Sequence, residues 1–176
     1  MIRNVRFSTA LVGIVLMAGC TGSPDSTRTQ TGTPSAIAAT ATVAAVRAAG
    51  ADDEAELAVA PLRDPRVEDL RIEAERLEAA GDIGGAARAL DLALEEVQDD
   101  PALLQERAEL ALLQQDFALA GTLAERAYAL GSQVGPLCRR HWATLEQLRL
   151  RESDAAGAAA ARAQVEGCRV AGPERY

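Results

Sequence analysis

The chain has 176 residues, 48% apolar but only 3% aromatic, and Ala and Leu supply most of the apolar set. A core of that kind suits close-packed helices better than a sheet. The net charge is −8 with no Lys at all, so every basic side chain is Arg, and no basic stripe offers itself to nucleic acid or to anionic lipid heads.

The first six residues carry Arg3 and Arg6, and residues 7–18 are an apolar run too short to span a membrane comfortably. Then come Leu16-Met17-Ala18-Gly19-Cys20. This order resembles the lipobox of bacterial lipoproteins, with Met17 where the family usually carries Leu. The resemblance implies that residues 1–19 are a signal peptide cut before Cys20. It also implies a diacylglyceryl group on the Cys20 thiol and an acyl chain, such as palmitate, on its new amine. Several acyl chains on one residue give durable membrane attachment. Thr21, in place of an Asp, implies the outer membrane, with the protein facing the periplasm. The alternative is an ordinary signal peptide or retained anchor with an incidental Cys. Loss of Arg3 and Arg6 with the signal leaves 16 Arg against 26 acids, a net −10.

Residues 20–63 read as a lipidated Cys followed by a flexible, low-complexity tether. Residues 21–35 offer nothing apolar to bury. Residues 36–62 are rich in Ala, Thr and Val and read as spacer. Ala36–Ala49 could instead form a weak helix packed on the domain, its propensity lowered by Thr40, Thr42 and Val43.

From Asp64 the pattern changes. Asp64-Pro65 is a helix start, and Val67, Leu70, Ala74 and Leu77 share one face. Gly81-Asp82 breaks that helix, and Ala86, Ala87, Leu90, Ala93, Leu94 and Val97 mark a second. Asp100-Pro101 restarts the pattern, with Leu104, Ala108 and Ala111 leading to a break at Gln115-Asp116. Phe117, Ala120, Leu123, Ala124, Ala127 and Leu130 mark a fourth helix, which Gly131 ends. Gly135-Pro136 opens a fifth, whose apolar face holds Cys138, His141 or Trp142, Leu145 and Leu148. Ser153-Asp154 starts a sixth, running to about Cys168.

The turn Gly81-Asp82-Ile83-Gly84-Gly85-Ala86 lies 34 residues before Gln115-Asp116-Phe117-Ala118-Leu119-Ala120, and Ala74 and Ala93 precede Ala108 and Ala127 by the same step. This period, with small residues at Ala74, Ala86 and Ala93 and large ones at Leu70, Leu77 and Leu90, resembles the tetratricopeptide repeat. Ala111 and Ala124 depart from its large positions, and Leu110 and Leu123 stand beside them to compensate. A third pair, about 137–169, aligns only with four extra residues around Arg149–Ser153. The expectation is an all-α domain over 64–170, a short solenoid of about three antiparallel helix pairs, with a C-terminal tail at 171–176. The alternative is a non-repeating helical bundle.

Lipidation of Cys20 leaves Cys138 and Cys168, which start and end an antiparallel pair, and a disulfide between them is expected in an oxidising compartment. Two free thiols are the alternative; a metal site using both with His141 lacks a fourth ligand. No metal, cofactor or catalytic residue is nominated: His141 has no evident partner, and it reads with Trp142 as a core or groove residue. The many acids, such as Glu73, Asp99 and Asp100, read as solvated helix faces.

In tetratricopeptide-like folds the first helix of each pair lines a concave groove. Carried onto this chain, the resemblance implies a groove lined by Glu68, Arg71, Glu75, Glu78, Gln105, Glu109, Leu112, Arg139 and Glu146, mainly acidic with an apolar spot at Leu112. The function that follows is a membrane-anchored, non-catalytic adaptor binding a protein or peptide in the cell envelope. A pilotin-like factor escorting a secretion or pilus subunit is the nearest rival, and an accessory cell-wall enzyme the rival from another class. Self-association through the uncapped end is a further reading, because no polar capping helix follows residue 170.

Overall fold

Aspartates set most of the helix starts. The computed structural model describes residues 34–51 and 62–169, and among these it places seven helices: α1 (Pro34–Ala49), α2 (Pro65–Ala79), α3 (Ile83–Glu96), α4 (Pro101–Gln114), α5 (Phe117–Leu130), α6 (Gly135–Arg151) and α7 (Ala155–Gly167). The signal segment, Cys20, the tether up to 33 and the tail from 171 lie outside the described residues. Asp64, Asp82, Asp100, Asp116 and Asp154 each accept a backbone N–H of the helix that follows, satisfying donors with no partner inside the helix. Only α6 among α2–α7 starts without such a side-chain bond, at Val134, and it carries Pro in its first turn instead.

Helices α2–α7 pack as three consecutive antiparallel pairs, α2 with α3, α4 with α5 and α6 with α7. The turns inside the pairs are copies of one another. Gly81, Gln115 and Ser153 all adopt the left-handed conformation, at φ 85°, 63° and 61°. Behind each, the aspartate's own N–H bonds back five residues, Asp82 to Leu77, Asp116 to Ala111 and Asp154 to Arg149. Glycine takes this conformation without strain, whereas Gln115 and Ser153 take it at a cost.

The small residues are where the helices come closest. Ala86, Ala93, Ala108, Ala120 and Ala127 are fully buried, and Ala74 nearly so. Ala111 and Ala124, small at places where the repeat usually carries bulk, are fully buried too, and Leu110 beside Ala111 fills space in the cluster formed by α2, α3 and α4. In the third pair Ala158, four residues after the capping Asp154, takes the place of Ala86 and Ala120. The Trp142 ring meets Tyr128 edge-on at 5.0 Å between centroids. The extra residues expected in this pair lengthen α6, which has 17 residues against 14 in α4.

Cys138 and Cys168 are joined in a disulfide, with their Cα atoms 5.8 Å apart. The Gly135 N–H donates to the Cys168 carbonyl alongside it, at 2.6 Å. The third pair is therefore tied at its open end twice.

One segment departs from the spacer expectation. Residues 34–49, within the stretch read as tether, form α1, and α1 packs on α4 and α6. Its Ala39, Val43 and Val46 lie at spacings of four and three and are buried, while most of its other described side chains face solvent. Burial of that stripe outweighs the local weakening at Thr40, Thr42 and Val43, because tertiary packing supplies most of a short helix's stability.

Candidate functional site

The first helices of the pairs, α2, α4 and α6, supply the residues expected to line a groove. The chain's own α1 lies against two of them. Val43 and Val46 close over Ala111 and Leu112 of α4 and Ala143 and Leu148 of α6, so the apolar spot expected at Leu112 is already covered. Arg47 is the only charged residue between 34 and 51. Its Nη1 and Nη2 donate to Glu78 of α2 at 2.8 and 3.0 Å, and its Nε donates to Glu109 of α4 at 2.8 Å. Burial works against the Arg47 charge, but hydrogen bonds and attraction from Glu78 and Glu109 outweigh it and raise its pKa. At the end of α1, Arg139 of α6 donates from Nε to the Ala49 carbonyl at 2.8 Å and from Nη2 to the Ala51 carbonyl at 3.2 Å. A cation at a helix C-terminus satisfies carbonyls that the helix leaves open.

Below α1 runs a buried polar network. Glu109 is fully buried and also accepts from Arg140, at 2.8 Å from Nε and 2.6 Å from Nη2. Gln105 Nε2 donates to Glu109 and to Thr144 Oγ1, both at 2.9 Å, so its Oε1 is left to accept. It accepts from His141 Nδ1 at 2.8 Å, which fixes the tautomer and leaves the buried His141 Nε2 without a hydrogen-bond partner. Burial, and then the neighbouring Arg140 charge, hold His141 down to a pKa of about 4. It is neutral at pH 7 and positions Gln105. Arg47, Arg140, Thr144 and the His141–Gln105 contact were not singled out from the sequence; the lone Arg of an otherwise uncharged segment was the available signal.

Beside α1 a cleft stays open. Its volume is about 510 Å³, and it is lined by Arg47, Arg71, Glu75, Glu78, Glu106 and Arg140, among others, over a floor of Ala74, Leu90 and Leu110. Arg71 is held by Glu68, at 2.7 Å from Nη2, and by Glu75. Glu106 lies 3.6 Å from Arg71, and burial raises its carboxyl to about 6 against the pull of Arg71, Arg140 and Arg63.

The nine expected groove residues therefore fall into three groups. Arg71, Glu75 and Glu78 line the open cleft, and Glu68 backs it through Arg71. Gln105, Glu109, Leu112 and Arg139 are buried around α1 and its network, so they are no open lining. Glu146 faces the other way, toward α7, where it accepts from Arg162 Nε at 2.9 Å. With Cys138 and Cys168 bonded to each other, neither supplies a thiolate beside His141.

No protein-family model matches the chain, and no curated protein does. A solved structure does match, with a TM-score of 0.55 and 29% identity over 60% of this chain and 99% of the other. The helical domain is similar to the globular C-terminal domain of P. aeruginosa LpoP. The LpoP domain is thus nearly all spanned by part of this chain, while 40% of this chain has no counterpart in it. The likeness agrees with the tetratricopeptide-like architecture of paired helices.

Proposed function

We propose that this chain is a lipid-anchored, non-catalytic adaptor of the bacterial cell envelope, held at the outer membrane through Cys20 and facing the periplasm, where it binds another protein. The observation that carries the reading is the concave face of α2, α4 and α6. It receives an α-helix on one half and leaves a charged cleft of about 510 Å³ on the other. Such a surface is shaped for a peptide or helix, with acids to fix the partner's cations and small apolar residues to admit close approach. The similarity to the LpoP domain supports a protein of the envelope, and Leu16-Met17-Ala18-Gly19-Cys20 supports the anchor. No cofactor enters this function.

Two measurements test it. Cys20→Ser is expected to abolish acyl labelling and move the protein from the membrane to the soluble fraction; unchanged fractionation would remove the anchor from the proposal. Affinity purification of the lipidated protein with mass spectrometry should recover an envelope protein. A Glu75→Arg, Glu78→Arg pair of substitutions in the open cleft should weaken that recovery at least tenfold. Recovery insensitive to them would move the interaction elsewhere on the domain.

A further inference from the structure

Five features of the groove read features of α1. The stripe Ala39, Val43 and Val46 is matched by the apolar strip of α4 and α6. Arg47 meets Glu109, which is fully buried, and Glu78. Arg139 takes the carbonyls at the helix end. Ser35 Oγ donates to Gln115 Oε1 at the other end, at 2.7 Å. Gly50 lies so close to α6 that a Cβ on it would stand 2.4 Å from Arg140 Cγ and 2.9 Å from the Pro136 carbonyl oxygen.

These contacts define a chemical pattern for an occupant: an α-helix with small apolar residues at i, i+4 and i+7, an arginine directly after the last, and glycine three residues beyond it. The arginine is required. Without it the buried Glu109 keeps one cation instead of two, and Glu78 loses its partner across the groove. The glycine is required because any side chain would collide with α6. The resident that meets the pattern is a single short helix, marginal by itself in water even with its many alanines, and exposed on most of its surface. It also borders the open cleft through Arg47, so an arriving segment can contact the groove while α1 still fills part of it.

We propose that the groove is a receptor for a partner α-helix and that α1 is its resident ligand, which a partner helix carrying the same small-apolar stripe, arginine and glycine displaces. The proposal rests on the protein-binding reading above and names the partner's chemistry. Occupancy by α1 makes the free protein poorly receptive, and the differential affinity of the two helices sets the switch.

The test uses the full mature chain and a fluorescent synthetic peptide of residues 34–51. Gly50→Val and, separately, Val43→Asp alter α1 and leave the groove walls unchanged. In both variants hydrogen exchange across 36–48 should quicken at least tenfold while α2–α7 keep their protection. Both should bind the peptide at least tenfold more tightly than the unaltered chain does. A peptide carrying Arg47→Glu should bind them at least tenfold more weakly. Loss of protection throughout α2–α7 in both variants would make α1 part of the obligatory core and overturn the proposal. So would failure of the variants to take up the peptide, or equal binding of the Arg47→Glu peptide. A dimer of the unaltered chain exchanging α1 between copies would overturn it in favour of a second copy as the occupant. These readings concern the groove alone: affinity purification that recovers no envelope protein counts against the adaptor reading, whatever the peptide does.

Discussion

His141 and Glu106 show how burial, as the largest of several influences, sets two opposed pH dependences within one domain. Burial, then Arg140, keeps the His141 pKa near 4, below the roughly 6.5 of an unfolded His. As pH falls below 6.5 the unfolded chain takes up a proton that the folded one refuses. The stability that His141 contributes is whole above 6.5 and lost as pH falls toward 4, by up to about 3 kcal/mol. Glu106, raised by burial to about 6, acts in the opposite sense. Its contribution is whole below about 4.5 and lost as pH rises through 6, by up to about 2 kcal/mol. Urea unfolding at pH 7, 5.5 and 4.5 separates the two. His141→Asn should lose less stability on acidification than the unaltered protein, and Glu106→Gln should lose more. Parallel curves for all three proteins would mean that neither group is as desolvated as its surroundings indicate. Neither residue's state was legible in the sequence. His141 stood on an apolar face with no visible partner, because Gln105, its partner, lies 36 residues away on another helix.

Among the helices, the small residues carry the packing. Ala86 and Ala120 sit at equivalent places 34 residues apart, each with no exposed surface. Replacing either with Leu forces extra volume between paired helices and should cost roughly 1–3 kcal/mol in denaturant unfolding. A negligible cost at both sites would mean that the pairs do not close on these alanines. This much was legible, because a 34-residue step in Ala and Asp-turn positions fixes where helices start and where they touch. Asp82, Asp116 and Asp154 cap α3, α5 and α7 through the N–H three residues on, although the last is displaced by the longer α6. The groove was less legible. A groove face follows from the repeat, but its emptiness does not. What fills it, α1, has the composition of a linker, and its helix is made by the surface it meets. The sequence held one hint, acids at Glu78 and Glu109 on the expected groove face and a lone Arg47 in a neighbouring uncharged stretch.

At the scale of the whole molecule, the third pair is the weakest part and the disulfide its compensation. Helix α7 contributes Ala158, Ala161 and Val165 to the interior, little apolar area for its 13 residues, and Gly157 lies within its first turn. The pair also ends the solenoid, so no following helix covers α7 among the described residues. Cys138 and Cys168 close a loop with a sequence separation of 30. In the chain-entropy account this removes about 3–4 kcal/mol worth of freedom from the unfolded chain. For a domain of this size that corresponds to a melting temperature higher by on the order of 10 °C. Reductant should therefore lower the melting temperature by about that much, and Cys138→Ser should melt at the reduced protein's temperature with or without reductant. Because α1 rests on α6 through Val43, Val46 and the Arg139 contacts, loosening the third pair should loosen α1 with it. Hydrogen exchange in the reduced protein should then quicken in α1 and α7 before α2 and α3. If reduction leaves both melting and exchange unchanged, the Trp142–Tyr128 contact and the apolar strip under α1 hold the third pair by themselves.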